Sequence, residues 1–214
     1  MTDTDLSLLD QHLTGLAESL LPFRSRAAVL ASWGERLAWH LGRGGRLLIA
    51  GNGGSAAEAQ HLAAELVGKL RDDRAPLSAI ALTPDSSAVT AISNDYGFEE
   101  VFARQVRAHG RPGDVLMVLS TSGRSPNLVA AVRAAAETGM RTWALVGPGA
   151  SPVADACEEA LCCPSAESQV VQELHLISVH VLCEYVDRAL PAVLGDGIAN
   201  LDGSAVPDPV GAWS

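Results

Sequence analysis

The stretch RLLIAGNGGSAAEAQHLAAELVG, residues 46–68, decides the fold class. Arg46 to Ala50 is a short, continuously apolar run of the kind found in strands buried on both faces. A glycine turn, Gly51-Asn52-Gly53-Gly54-Ser55, follows it, and the spacing then predicts a helix over Ala56 to Gly68 with Ser55 at its N-cap. Similar apolar runs recur at Leu77 to Leu82, Val115 to Leu119, Thr142 to Val146 and Ala160 to Cys162, each followed closely by a turn and a helical stretch. Strands alternating with helices imply a parallel sheet covered on both faces and joined by right-handed crossovers. Ser125-Pro126 and Ser151-Pro152 mark two further helix starts, the first opening Asn127 to Glu137.

Two amphipathic helices precede this unit. Leu6, Leu9, Leu13, Leu16 and Leu20 line one, and Leu30, Trp33, Leu37 and Leu41 line the other after a break at Pro22. At the far end a long helix is predicted from about Ser168 to Leu190, stopping at Pro191, with a flexible tail of glycines and prolines beyond it. The organisation expected is one domain over 1–190 and a tail over 191–214.

Composition narrows the function. The chain has 214 residues, 48% of them hydrophobic, enough for one full α/β core. Fifteen basic against 25 acidic side chains give a net charge of -10, the wrong sign for a protein that lives on nucleic-acid phosphates. No apolar run approaches the roughly 18 residues of a membrane span, and Met1 to Asp5 is polar and acidic, so a cytoplasmic protein without a membrane partner is expected. Cys157, Cys162, Cys163 and Cys183 form no C-x-x-C pair and read as reduced, buried thiols.

Two loops have the chemistry of phosphate sites. In Gly51 to Ser55 the glycines let backbone N–H groups approach an anion, although the same turn is equally a plain tight bend. In Ser120-Thr121-Ser122-Gly123-Arg124-Ser125, four hydroxyls meet a helix start with no acidic residue nearby, which suits a phosphate monoester. Neither is a Walker loop or a G-x-G-x-x-G turn, so nucleotide binding is not supported. His61 and Glu65, four apart on one helix, leave the same face and have metal-ligand spacing. Gln172 and His180 share the last helix but lie about 12 Å apart along its axis. Either both lean toward a metal between them or one serves a neighbouring subunit, and His175 competes for the role.

Four ordered segments, GNGGSAAEAQHLAAEL (51–66), AISNDYGFEEVF (91–102), GDVLMVLSTSGRSPN (113–127) and QELHLISVH (172–180), make residues 6–190 resemble the sedoheptulose 7-phosphate isomerase, or phosphoheptose isomerase, family of SIS domains. The resemblance implies a three-layer α/β/α, flavodoxin-like fold with a five-stranded parallel sheet, and a homotetramer with active sites between subunits. It implies zinc held by His61, Glu65, Gln172 and His180. It also implies a sugar-phosphate site built from Asn52, Gly53, Gly54, Ser55, Glu65, Asn94, Asp95, Ser120, Thr121, Ser122, Ser125 and Gln172. The expected reaction converts sedoheptulose 7-phosphate to D-glycero-D-manno-heptose 7-phosphate through an enediol, with Glu65 moving the carbon-bound proton and His180 serving the oxygens. Asp95 orients sugar hydroxyls in this reading; capping a helix that begins near Phe98 is its other role.

The chain departs from the family pattern in three places. Gln169-Val170-Val171 stands where some members carry Asp-Arg, Lys69 replaces a common arginine, and Arg124 a frequent asparagine. A different class, a non-catalytic SIS adaptor resembling replication-initiator-binding regulators, shares the fold but lacks the Glu65 and His180 equivalents. An isomerase or sensor for another sugar phosphate is the third reading.

Overall fold

A computed structural model of the chain describes residues 3–199, with side chains over 7–195. In chain order the elements are α1 (Asp3–Phe23), a 3₁₀ turn (Arg24–Arg26), α2 (Ala27–Leu41), β1 (Leu47–Gly51), α3 (Gly54–Val67), β2 (Ala79–Ala81) and α4 (Ser86–Tyr96). A second 3₁₀ turn (Phe98–Glu100) then precedes α5 (Ala103–His109), β3 (Val115–Ser120), α6 (Pro126–Thr138), β4 (Arg141–Val146), α7 (Pro152–Ala156), β5 (Glu159–Cys162) and α8 (Ser168–Ala199). The five strands form one parallel sheet in the order β2-β1-β3-β4-β5, with Leu47 opposite Val115 and Gly51 opposite Leu119. That order is the flavodoxin-like one, and it reverses direction between β1 and β3.

Side chains alternate across the sheet as a period of two requires. Leu47, Ile49, Met117, Trp143 and Leu145 pack with α2, α3 and α8 on one face, whereas Leu48, Ala50, Leu116, Val118, Ala144 and Val146 pack with α5, α6 and α7 on the other. Strand β2 is shorter than the expected Leu77 to Leu82. Its pairing nevertheless extends a residue past each end, through Leu47 N to Ser78 O and Leu82 N to Ile49 O.

Several boundaries differ from expectation. Helix α3 begins at Gly54, so Ser55 is a buried first-turn residue and Gly53 takes the N-cap position. Pro22 is the penultimate residue of α1 rather than its terminator. Helix α8 does not stop at Pro191 but continues to Ala199. Proline forfeits one helical hydrogen bond there, while the leucine before it and the valine after it pack against α2: a Cβ at Gly42 would meet Val193 Cγ1 at 2.9 Å and Leu190 Cδ1 at 3.2 Å. The expected tail from 200 onward lies outside the described residues. No helix among the described residues is long and apolar enough to cross a membrane.

The cysteines are free, and burial pushes the Cys157, Cys163 and Cys183 thiols up to about 12. Helix α1 leans on α8 through His12 Nε2 and Glu173 Oε1, 2.7 Å apart, yet Leu9, Leu13 and Leu20 of its apolar stripe face outward, 55%, 52% and 43% exposed.

Helix α2 is joined to β4 and β5 by a compact lock. Trp33 stacks on Trp143 with centroids 4.9 Å apart and donates its indole N–H to Glu159 at 3.0 Å, while Arg36 grips both Glu159 oxygens at 2.6 and 2.7 Å. Hydrogen bonding from Arg36 holds the Glu159 carboxyl below its ordinary value of 4.5, against the opposing pull of partial burial. Because the folded-state value is the lower one, this contribution is complete above the unfolded value and is lost as pH falls through the folded one. Glu159→Gln is therefore expected to lower Tm by about 2 °C at pH 7, the scale of a half-exposed pair, and by less at pH 3.5. Equal shifts at both pH values in a thermal melt would contradict this account.

Candidate active site

Ligands of open parallel sheets bind beyond the carboxyl ends of the strands, where strand order reverses. The loops after β1 and β3 are neighbours at that point. Gly53 has φ +56° and ψ -122°, a conformation open to glycine and strained for other residues. Gly54 is required for a different reason: a Cβ there would meet Gln172 Nε2 at 2.5 Å, so the Gln172 amide lies directly against the start of α3. The two loops are tied by a reciprocal amide pair, Asn52 Nδ2 to Asn127 Oδ1 and Asn127 Nδ2 to Asn52 Oδ1, both 2.9 Å. Asn127 is buried in the first turn of α6. With Phe98, Glu99, Ser125 and Pro126 the two asparagines line a cavity of about 300 Å³.

The hydroxyls of the second loop divide their work. Ser120 Oγ accepts from Gly123 N at 3.0 Å and shapes the turn, and Ser122 Oγ accepts from Arg124 N at 3.3 Å. Ser125 makes no side-chain cap bond at the start of α6, which leaves its hydroxyl at the cavity. A larger cavity of about 590 Å³, beside Trp39 and Trp143, sits at the opening residues of β3 and β4 and so belongs to the other end of the sheet.

Helices α3 and α8 run parallel and meet at successive turns: Gly54 with Gln172, Glu58 with His175, His61 with His180. At the third meeting His61 Nε2 is 3.0 Å from His180 Nε2 and 3.2 Å from Glu65 Oε1, and the ligand atoms of all three residues lie within 4.8 Å of one another. Two imidazoles and a carboxylate are the donor set of a three-residue catalytic zinc site, whose bonds of about 2.1 Å put ligand atoms about 3.4 Å apart in a tetrahedron. The residues present fit that group. His175, the competing candidate, is instead fully buried with Nδ1 3.7 Å from Glu58 Oε2, and neither ring nitrogen has a hydrogen-bond partner among the described residues.

Thus the structure brings His61, Glu65 and His180 together and sets the Gln172 amide at the other end of the α3–α8 seam. Asn94 and Asp95 lie at the exposed end of α4, where Asn94 Nδ2 donates to Asp95 Oδ1 at 2.7 Å. Asp95 does not cap the turn at Phe98, whose N-cap residue is Gly97 with no side-chain bond. Lys69 and Arg124 are exposed. Asn127, Phe98 and Glu99 were not anticipated as site residues. The signal for Asn127 was its place one residue after Ser125-Pro126, in the first turn beside the second loop.

Comparison with known proteins now decides the family. The SIS domain family matches residues 15–147. A phosphoheptose isomerase of Streptomyces coelicolor is 56% identical over 194 residues, covering 91% of this chain and 83% of the relative. The chain belongs to the phosphoheptose isomerase family of SIS domains. Membership carries the enzyme class, an aldose–ketose isomerase. The structure of a phosphoheptose isomerase from Francisella tularensis superposes with a TM-score of 0.82 at 32% identity, covering 88% of this chain and 100% of that one. The corresponding enzyme from Neisseria gonorrhoeae gives 0.79 at 38% identity, with 86% and 98% covered.

Within this phosphoheptose isomerase fold, the amide pair is the link between the two loops. Asn127→Leu removes both hydrogen bonds, each worth about 1 kcal/mol, and is expected to raise KM for a sugar phosphate about tenfold with a smaller change in kcat. An unchanged KM in steady-state assays would refute the pair's role.

Proposed function

We propose that the protein converts sedoheptulose 7-phosphate to D-glycero-D-manno-heptose 7-phosphate. The observation that carries this is the convergence of His180 of α8 with His61 and Glu65 of α3, the helix that starts at one of two adjoining loops suited to phosphate. Moving a proton between C1 and C2 through an enediol needs a base for the carbon-bound proton and an acid for the oxygens. Glu65 Oε1 faces His61, which leaves its second oxygen for the carbon-bound proton. His180 manages protons on the substrate oxygens. The loops at Asn52 to Ser55 and Ser120 to Ser125 hold the phosphate, and Asn94 and Asp95 hold sugar hydroxyls. Gln172, expected in both the metal and substrate sets, is assigned to the substrate because its amide lies against Gly54.

His61, Glu65 and His180 are the residues that would hold zinc. When bound, the ion supplies Lewis-acid polarisation of the substrate carbonyl. The exposed Leu9, Leu13 and Leu20 of α1 support burial against further copies of the chain, in a homotetramer with sites between subunits. Four free cysteines accord with a reducing, cytoplasmic setting. The adaptor reading is disfavoured because Glu65 and His180 are both present and converge.

Proton NMR of sedoheptulose 7-phosphate with the protein in D2O tests the reading. Aldose anomeric signals are expected with zinc and none when the protein is chelated before substrate is added, and Glu65→Gln is expected to lower kcat about 10³-fold, the scale of a lost general base. No product with or without zinc would refute it.

A further inference from the structure

The last turn of α3 carries Glu65, and a helix end leaves its final carbonyls without intrahelical partners. In this chain one guanidinium takes two of them, sharing Leu66 O with Leu77 N at 3.0 Å. Arg74, on the segment between α3 and β2, donates from Nη2 to Glu65 O at 2.8 Å and from Nη1 to Leu66 O at 2.9 Å. Nη1 also reaches Ala75 O at 3.1 Å and Gly68 O at 3.4 Å. The remaining edge turns the other way, Nε donating to Asp187 Oδ1 on α8 at 2.7 Å. The side chain is only 10% exposed, so these bonds are shielded from water. A cation at a helix C-terminus is further favoured by the macrodipole.

Asp187 is seven residues beyond His180, two helical turns, and so lies on the same face of α8. The Arg74 contacts therefore span the end of α3 that carries Glu65 and the face of α8 that carries His180. We propose that Arg74 is a positioning residue for the isomerisation: it touches no reacting atom, and it fixes the separation of Glu65 and His180 by clamping the final turn of α3 to Asp187. This rests on the functional reading above. Only arginine suits the task, because its planar fork serves two carbonyls and a carboxylate together, whereas a lysine ammonium is a point charge on a flexible stem. A nearby pair, Arg71 with Glu184 at 2.7 Å, joins the same two segments, but its Arg71 side chain is 73% exposed.

The consequence is a separation of kcat from KM. Misplacing reacting groups by about 1 Å costs on the order of 10²-fold in rate, while the phosphate loops lie at the opposite end of α3. Arg74→Lys retains the charge and loses the fork; Asp187→Asn retains the carbonyl bonds and weakens the anchor on α8. Both are measured below their melting temperatures for steady-state kinetics and for amide hydrogen exchange over residues 62–68. The expected result is a kcat at least about tenfold lower in Arg74→Lys, a smaller drop in Asp187→Asn, KM within about twofold, and faster exchange confined to the end of α3. Unchanged kcat in both variants, or unchanged exchange over 62–68, would overturn the proposal, as would a KM rise that matches the kcat loss. If wild-type protein gave no turnover, the functional reading would fall, and the exchange experiment would still decide whether Arg74 holds the Glu65 turn.

Discussion

The parallel packing of α3 against α8 is the constraint on which the site depends. These helices are far apart in sequence, and neither holds enough chemistry alone. Running parallel, they match turn for turn, so that Gly54 receives the Gln172 amide, Glu58 faces His175, and His61 meets His180 with Glu65 one turn further. The sheet sets this register from below. Ile49, Met117 and Leu145 support the layer in which α2, α3 and α8 pack, and the Trp33–Trp143 stack anchors α2 on β4.

Polar groups in that seam are few and consequential. Burying a carboxylate and an imidazole is costly unless each finds a partner, and Glu58 and His175 lie 3.7 Å apart where both are shielded from solvent. They sit between the loop end and the ligand end of the seam, in ion-pair contact but without a hydrogen bond to either ring nitrogen among the described residues. A similar logic applies at the loops, where the Asn52–Asn127 ring satisfies four amide hydrogen-bonding groups and holds two separate turns at one distance.

Much of this was legible in the sequence because the fold places short apolar runs between punctuating turns. All five strands appear where continuous apolar residues stood, and the parallel sheet follows from their alternation with helices; its flavodoxin-like order was implied only by the family resemblance. What escaped notice depended on contacts between distant segments. Pro191 resembles a helix stop until Leu190 and Val193 are seen packing on Gly42. Helix α4 has no fully buried residue and packs on the core mainly through Val89 and Ile92, a stripe too short to mark it. The spacing of His61 and Glu65 was readable at once, being local. The 12 Å between Gln172 and His180 left two readings open, and in the structure each residue meets a different turn of α3. Arg74 gave no local signal, because its partners are backbone carbonyls and a carboxylate 113 residues away.

Anomalous diffraction at the zinc absorption edge, from crystals of the purified protein grown with zinc, bears most directly on the central claim. The account predicts a peak bonded to the Nε2 atoms of His61 and His180 and to a carboxylate oxygen of Glu65. A fully ordered site with no peak there, or a peak held by other residues, would contradict it.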